Sequence, residues 1–407
     1  MLQDKINMLD ALPVGDGESH AIIDSALTAV REHLDMPIAY LSEFVGDQTI
    51  FRNVSAPGLE DLIKPGDSRH LDEVYCQHIL RGDLPELIPD TAAFPLAQSL
   101  PITNTAPIGS HVSLPIHRAD GSVYGMFCCL SPVANPSLND RDIKVMRLFA
   151  DLAAEQVRLN HSRQSELEGT RNIIRDMLRD AAFDMVYQPI YRLADGGLAS
   201  FESLCRFRSD PYRSPDKWFD DARTAGLQTE LELKVIDAAL KALPGLPPHA
   251  RLAVNAAPDT VASGALLPIL SRVDPTRLTL EITEHERSND FDRLLRAVQA
   301  IGARGTWIAI DDVGAGYSGL QQILQLRPDI LKLDMSLVRD IDTDTARRSL
   351  AGALVSFASE TDAKVTAEGI ERRAEWDCLR MIGADYGQGW LMGRPGPMNQ
   401  AAPNVTV

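Results

Sequence analysis

The sequence predicts two folded modules, an α+β unit on an antiparallel sheet and then an α/β unit of alternating strands and helices. Three observations carry this. At about 150 residues per domain, a chain of 407 residues makes two or three domains. The charge is uneven: residues 1–170 hold 12 Lys+Arg against 24 Asp+Glu (−12), and residues 171–407 hold 28 against 33 (−5). The apolar rhythm also changes after Asp180, from a long helical stretch to short β-type runs separated by helical ones.

Composition sets outer limits. Hydrophobic residues at 44% and charged residues at 24% exclude a disordered chain. A net charge of −17 excludes broad attraction to nucleic acid polymers or anionic membranes, so an anionic ligand needs a local site. Met1 to Lys5 lack a basic n-region leading into an apolar segment, and no run reaches about 18 apolar residues, which predicts a soluble, cytoplasmic chain. The cysteines Cys76, Cys128, Cys129, Cys205 and Cys378 are odd in number and lack CxxC spacing, which predicts core thiols rather than disulfides or a zinc site.

Residues 17 to about 36 read as an amphipathic helix, with Ile22, Ile23, Ala26, Val30 and Leu34 at helical spacing. A strand over Ile38–Phe44 follows. His111–Ile116 and Val123–Leu130 flank Asp120-Gly121 and read as a hairpin. From Asn139 to Asp180 the only breaker is Gly169, and Ile143, Met146, Phe149, Leu152, Val157 and Leu159 form an intermittent stripe on a long connecting helix. That stripe fits a helix packed on its own domain and also a homodimer-forming signalling helix.

Strand candidates in the second half are Met185–Ile190, Leu198–Phe207, Leu252–Asn255, Leu278–Ile282, Trp307–Asp311, Ile330–Asp334, Val365–Glu368 and a short one near Asp385. Helical runs such as Phe291–Ile301, Leu320–Leu326 and Arg347–Ser359 lie between them. The alternation fits a (β/α)-barrel or an open doubly wound sheet.

Polar residues recur where buried strands should be apolar. Glu202 lies in the second strand, Asn255 ends the third, Glu281 and Glu284 the fourth, Asp311 and Asp312 the fifth, Lys332 the sixth and Glu368 the seventh, and Gln388 follows the eighth. One strand-end carboxylate is usually a cap or a surface charge. A series on successive strands is a pattern, because in a barrel those ends converge on one face. Clustered carboxylates need a counter-charge, and oxygen ligands without a histidine group point to Mg²⁺ or Mn²⁺. Adjacent Asp311 and Asp312 would let one carboxylate bridge two ions about 4 Å apart, an arrangement suited to phosphodiester hydrolysis. Lys332, between Leu331 and Leu333, is expected to point into the barrel mouth. Gly314 to Gly319 is a literal GxGxxG, but Asp311 and Asp312 directly before it would repel a pyrophosphate.

At these positions residues 183–398 resemble the EAL-domain cyclic-di-GMP phosphodiesterases. The resemblance rests on Gln188-Pro189, Glu202-Ser203-Leu204 with Arg206, Asn255, Glu281-Ile-Thr-Glu284, Asp311-Asp312-Val313-Gly314-Ala315-Gly316, Lys332-Leu-Asp334, Glu368-Gly369-Ile370-Glu371 and Gln388-Gly389. It implies a (β/α)8-like, TIM-type barrel that hydrolyses c-di-GMP to linear pGpG with two Mg²⁺ or Mn²⁺ ions. It also implies metal ligation or support by Glu202, Asn255, Glu281, Asp311, Asp312 and Glu368, with Lys332, Glu368 and Gln388 serving catalysis. By the same resemblance Glu284 steadies the Asp312–Ser318 loop, and Gln188, Leu204 and Arg206 contact substrate. Ser203 replaces the signature alanine and Val313 the usual phenylalanine, so a hydroxyl that reorients Glu202 and a looser loop are expected. A c-di-GMP receptor without hydrolysis is the alternative.

Residues 17–160 resemble a GAF sensory domain, on the helix, the strand and the hairpin above. That implies an unidentified small molecule or signal; Cys76 in Tyr75-Cys76-Gln77-His78 is expected in the core rather than on a chromophore. The expected order is an extension (1–16), the GAF-like domain (17–160), a connecting helix (139–182) overlapping its end, the barrel (183–398) and a tail (399–407).

Overall fold

The computed structural model describes residues 16–283, 290–314 and 320–398. The chain divides into two compact units, Met1–Glu166 and Leu167–Val407.

In the first unit, helix α1 (Asp16–His33) buries Ile22, Ile23, Ala26, Leu27 and Val30, the stripe expected from the spacing. Strands β1 (Ile38–Val45), β2 (Gln48–Ser55), β3 (Ser68–His70), β4 (Leu87–Ile88), β5 (Ser110–His117) and β6 (Val123–Ser131) form one antiparallel sheet in the order β3-β2-β1-β6-β5-β4. The expected hairpin is β5–β6, and Gly121 takes a φ of 84° in its turn, a conformation glycine adopts without a Cβ clash. Side-chain alternation gives the sheet two cores. Ala39, Leu41, Phe127 and Cys129 pack with α1 and the start of helix α2 (Asp140–Asp180). Ile38, Tyr40, Met126 and Cys128 face Tyr75, Cys76 and Ile79 of a short helix. Adjacent Cys128 and Cys129 therefore lie in opposite layers, and all five cysteines are buried and free.

Helix α2 runs 41 residues without interruption. Met146, Phe149 and Ala153 belong to the first unit's core, and Ile174, Met177 and Leu178 to a cluster with Phe183, Phe207 and Trp218.

The second unit closes strands β7 (Phe183–Arg192), β8 (Leu198–Phe207), β9 (Arg251–Ala256), β10 (Leu278–Thr283), β11 (Trp307–Val313), β12 (Ile330–Leu333), β13 (Lys364–Ala367) and β14 (Tyr386–Gly387) into a barrel. The barrel settles the choice left open by the alternation. One strand departs from a uniform (β/α)8 pattern: β7 pairs antiparallel with both β8 and β14, and the other neighbours pair parallel. Asp334 falls just outside β12, where its side chain caps the next short helix by accepting from Ser336 N at 2.9 Å. Among the described residues no helix is long and apolar enough to cross a membrane.

Candidate functional site

The strand ends deliver a charged cluster around one lysine. Lys332 sits on β12 between the buried Leu331 and Leu333, and with 1% exposure its ammonium lies inside the barrel, as the flanking leucines implied. Its Nζ stands 2.7 Å from Glu281 Oε2, 2.7 Å from Glu368 Oε1, 3.1 Å from Asp311 Oδ1 and 3.8 Å from Glu202 Oε1. Four carboxylates thus share one cation.

Electrostatics follow from that imbalance. Burial pushes the carboxyl of Glu281, itself 2% exposed, well above the ordinary glutamate value; Lys332 opposes this, while Glu202 and Asp311 add to it. Burial likewise raises Glu368, to about 8, against the pull of Lys332. For Lys332 burial acts downward, and Asp311, Glu202, Glu281 and Glu368 outweigh it and hold the ammonium well above the usual lysine range. All three shifts have one meaning: the cluster takes up positive charge.

Glu202 forms the other half of the site. On β8 it shares a face with Leu204 and Arg206, which stand two and four residues nearer the strand's C-terminal end. Its register partner on β7 is Gln188. Glu202 Oε1 accepts from Asn255 Nδ2 at 3.0 Å, and Oε2 accepts from Gln388 Nε2 at 2.5 Å. Gln388 Nε2 also donates to Gln188 Oε1 at 2.9 Å, while Gln188 Nε2 donates to the Gly393 carbonyl at 3.0 Å. Among the described residues, buried Gln388 Oε1 has no hydrogen-bond partner.

Asp311, Asp312 and Glu368 each bring a carboxylate oxygen within 4.8 Å of the others. Asp312 has a φ of 61°, and its amide donates to Asp311 Oδ1 at 3.0 Å, so the local backbone folds one aspartate back over the other. Hard oxygen donors, excess negative charge and an unpartnered amide oxygen fit a divalent cation such as Mg²⁺ or Mn²⁺.

The sequence-predicted positions thus separate into groups. Glu202, Glu281, Asp311, Lys332 and Glu368 converge; Asp312 joins through Asp311 and Glu368, and Asn255, Gln388 and Gln188 through Glu202. Leu204 and the half-buried Arg206 lie along β8 towards the rim, where Arg206 Nη1 donates to the Cys205 carbonyl at 2.8 Å. Glu284 and residues 315–319 lie outside the described residues. The expected effect of Ser203 is corrected: it points to the opposite face of β8 from Glu202, and its hydroxyl donates to the Ala253 carbonyl at 2.7 Å. Val313 is buried in the barrel core. The sequence reading passed over exposed Trp390, whose ring carries the Arg394 guanidinium carbon 4.1 Å from its centroid, in the segment after Gln388. An aromatic two residues past Gln388 was the available signal.

The comparisons bear on this geometry. A model of the EAL domain matches residues 171–395, and one of the GAF domain matches residues 18–157. The cyclic di-GMP phosphodiesterase NbdA of Pseudomonas aeruginosa is 30% identical over 260 residues, 58% of this chain and 32% of that protein. The probable cyclic di-GMP phosphodiesterase PdeA of Escherichia coli is 29% identical over 237 residues, 56% of this chain and 32% of that protein. This chain spans only about a third of the length of the curated relatives it matches, 35%, 32% and 38% for three of them. Among solved structures, the PaMucR phosphodiesterase in complex with c-di-GMP superposes with a TM-score of 0.52 at 28% identity, over 57% of this chain and 99% of that one. The EAL enzyme Bd1971, at 19% identity and a TM-score of 0.54, shares the fold over 89% of this chain and 91% of its own.

Proposed function

The chain belongs to the EAL-domain family, and on that premise we propose that it hydrolyses cyclic-di-GMP to linear pGpG under control of its GAF domain. The observation that carries the reading is the convergence of Glu202, Glu281, Asp311 and Glu368 on Lys332 beside an unpartnered Gln388 oxygen. Asp311, Asp312 and Glu368 would hold the cations, with Glu202, Asn255 and Glu281 completing or supporting the set. One or two Mg²⁺ or Mn²⁺ ions, when bound, supply Lewis acidity at phosphorus and lower the pKa of water.

The chain's own residues do the rest. Lys332 keeps Glu281 and Glu368 apart from each other's charge and offers its protons to oxygens at the cluster. Gln388 and Gln188 fix Glu202 through the amide chain. Arg206 and Leu204, along the rim of β8, present a cation and an apolar surface to a phosphate and a base. Water adds to one phosphorus, the P–O3′ bond breaks, and the leaving oxygen takes a proton, opening the ring to pGpG. Glu284 would steady the segment after Asp312.

Exposed Leu148, Leu159 and Ile173 on α2 support a homodimer paired along that helix, a cytoplasmic regulator whose sensory signal travels through it. A single-chain mass in light scattering would remove the dimer. The function is tested by chromatography of c-di-GMP after incubation with the full chain, with Mg²⁺ or Mn²⁺ and again with chelator. Metal-dependent pGpG, lost in Asp311→Ala, is expected. Tight binding with intact substrate in every metal condition would assign a receptor instead.

A further inference from the structure

The first unit contains a cavity of ≈ 250 Å³ on the sheet face opposite α1. Its walls are mostly apolar, with Ile38, Phe51, Val74, Ile108 and Leu130 among them, and its size is below the range of about 300–1,000 Å³ typical of sites for drug-sized ligands. Water gains little there. A compact organic ligand gains apolar burial.

The polar groups in this lining are Thr105, the hydroxyls of Tyr40 and Tyr75, Arg69 and His111, of which the last two carry the argument. His111, on β5 and only 2% exposed, borders the cavity with the Cys128 thiol beside its ring. Its ring meets that of Tyr75 edge-on, with centroids 5.1 Å apart and planes at 88°. Arg69, on β3, donates to the Ser68 carbonyl at 2.8 Å, and among the described residues no carboxylate lies within ion-pair distance of its guanidinium. That leaves a cation beside an apolar space.

The separation of these groups shapes the occupant. Arg69 on β3 and His111 on β5 are separated in the sheet by β2, β1 and β6, so an occupant that meets both carries a polar group at each end. Tyr40, Phe51 and Tyr75 line the space between, and aromatic side chains favour offset or edge contacts with a ring. A hydroxyl suits the His111 ring, because it can donate or accept and so matches either tautomer.

We propose that this cavity binds a small hydroxyaryl carboxylic acid, its carboxylate at Arg69 and its ring hydroxyl at His111. The ligand class deepens the reading of the first unit as a sensory domain. Binding is measured without turnover, so a failure here and a failure of the hydrolase assignment are distinguishable.

The test is calorimetry on the full chain with 3-(4-hydroxyphenyl)propionate, its methyl ester, 3-phenylpropionate and cyclic AMP. The acid should bind at one site per chain, with the ester and the dehydroxylated acid each at least tenfold weaker. Arg69→Met should abolish the preference for acid over ester, and His111→Phe the preference for the hydroxyl. Arg69 is half-buried at the mouth, so its variant keeps the test decisive even if His111→Phe misfolds. No binding of the acid, equal affinity for acid and ester, or tighter binding of cyclic AMP overturns the proposal.

Discussion

Asn255 donates its side-chain amide to Glu202 Oε1 at 3.0 Å, which turns the Asn255 carbonyl oxygen away from that carboxylate. Gln388 does the same from the other side at Oε2. Glu202 therefore orients two amides, and each presents an oxygen elsewhere. Replacing Glu202 with Gln sets an NH₂ against one of these donors. We expect more than a tenfold loss of pGpG release and a cation affinity about 10–100-fold lower, the range found when residues supporting metal ligands are changed. Mn²⁺ titration of the purified variant checks this; unchanged affinity would remove Glu202 from the ligand-orienting role.

Lys332→Met tests the charge balance. It removes the only cation within ion-pair distance of Glu281 among the described residues, and one-sided disruption of a buried pair costs about 3–5 kcal/mol. Adding Glu281→Met should recover much of that loss. Denaturant unfolding of the single and double variants reads the coupling, and strictly additive losses would show that the two residues do not act as a pair.

Ser203→Ala is expected to leave turnover within twofold of wild type. The hydroxyl serves the Ala253 carbonyl on the face away from Glu202, so its loss should cost about 0.5–1.5 kcal/mol of stability. A large change in the rate of pGpG formation would contradict that placement.

Glu375, on helix α3 (Arg373–Ile382), provides a pH test away from the charged cluster. Burial raises its carboxyl, but the amides of Asp340, Glu371 and Arg372, each at 3.0 Å, and the Arg372 guanidinium outweigh burial and hold it below the ordinary 4.5. Because the folded value lies below the unfolded one, this stabilisation is present above the ordinary glutamate value and is lost as pH falls through the depressed value. Glu375→Gln should flatten the stability profile between about pH 5 and 3, measured by denaturant midpoints. Parallel profiles for the two proteins would be the contrary result.

Much of this was legible because strand periodicity and strand-end chemistry are local. Leu198–Phe207 is found as read, and Lys332 between two leucines had no apolar environment to leave for except the barrel interior. The direction of β7 was not legible, since a strand's residues do not record which way its neighbours run. Strands β2, β3 and β4 escaped because they are short or broken by polar residues such as Arg52, Asn53 and Arg69. Ser203 was misjudged although the signal was present: adjacent strand residues face opposite ways. The partners of Glu202 come from β9 and the segment after β14, pairings set only when the barrel closes.

The reversed β7 alters where the chain enters the barrel. Phe183 pairs with Phe207, at the end of β8 nearest the rim, so α2 delivers the polypeptide to the barrel on the side where the carboxylates gather. A uniform (β/α)8 chain would begin at the far floor. Along the hairpin Phe183 opposite Phe207 is followed by Asp184 opposite Arg206, and four pairs further on by Gln188 opposite Glu202. The strand that α2 leads into therefore also carries, within its ten residues, the register partner of Glu202.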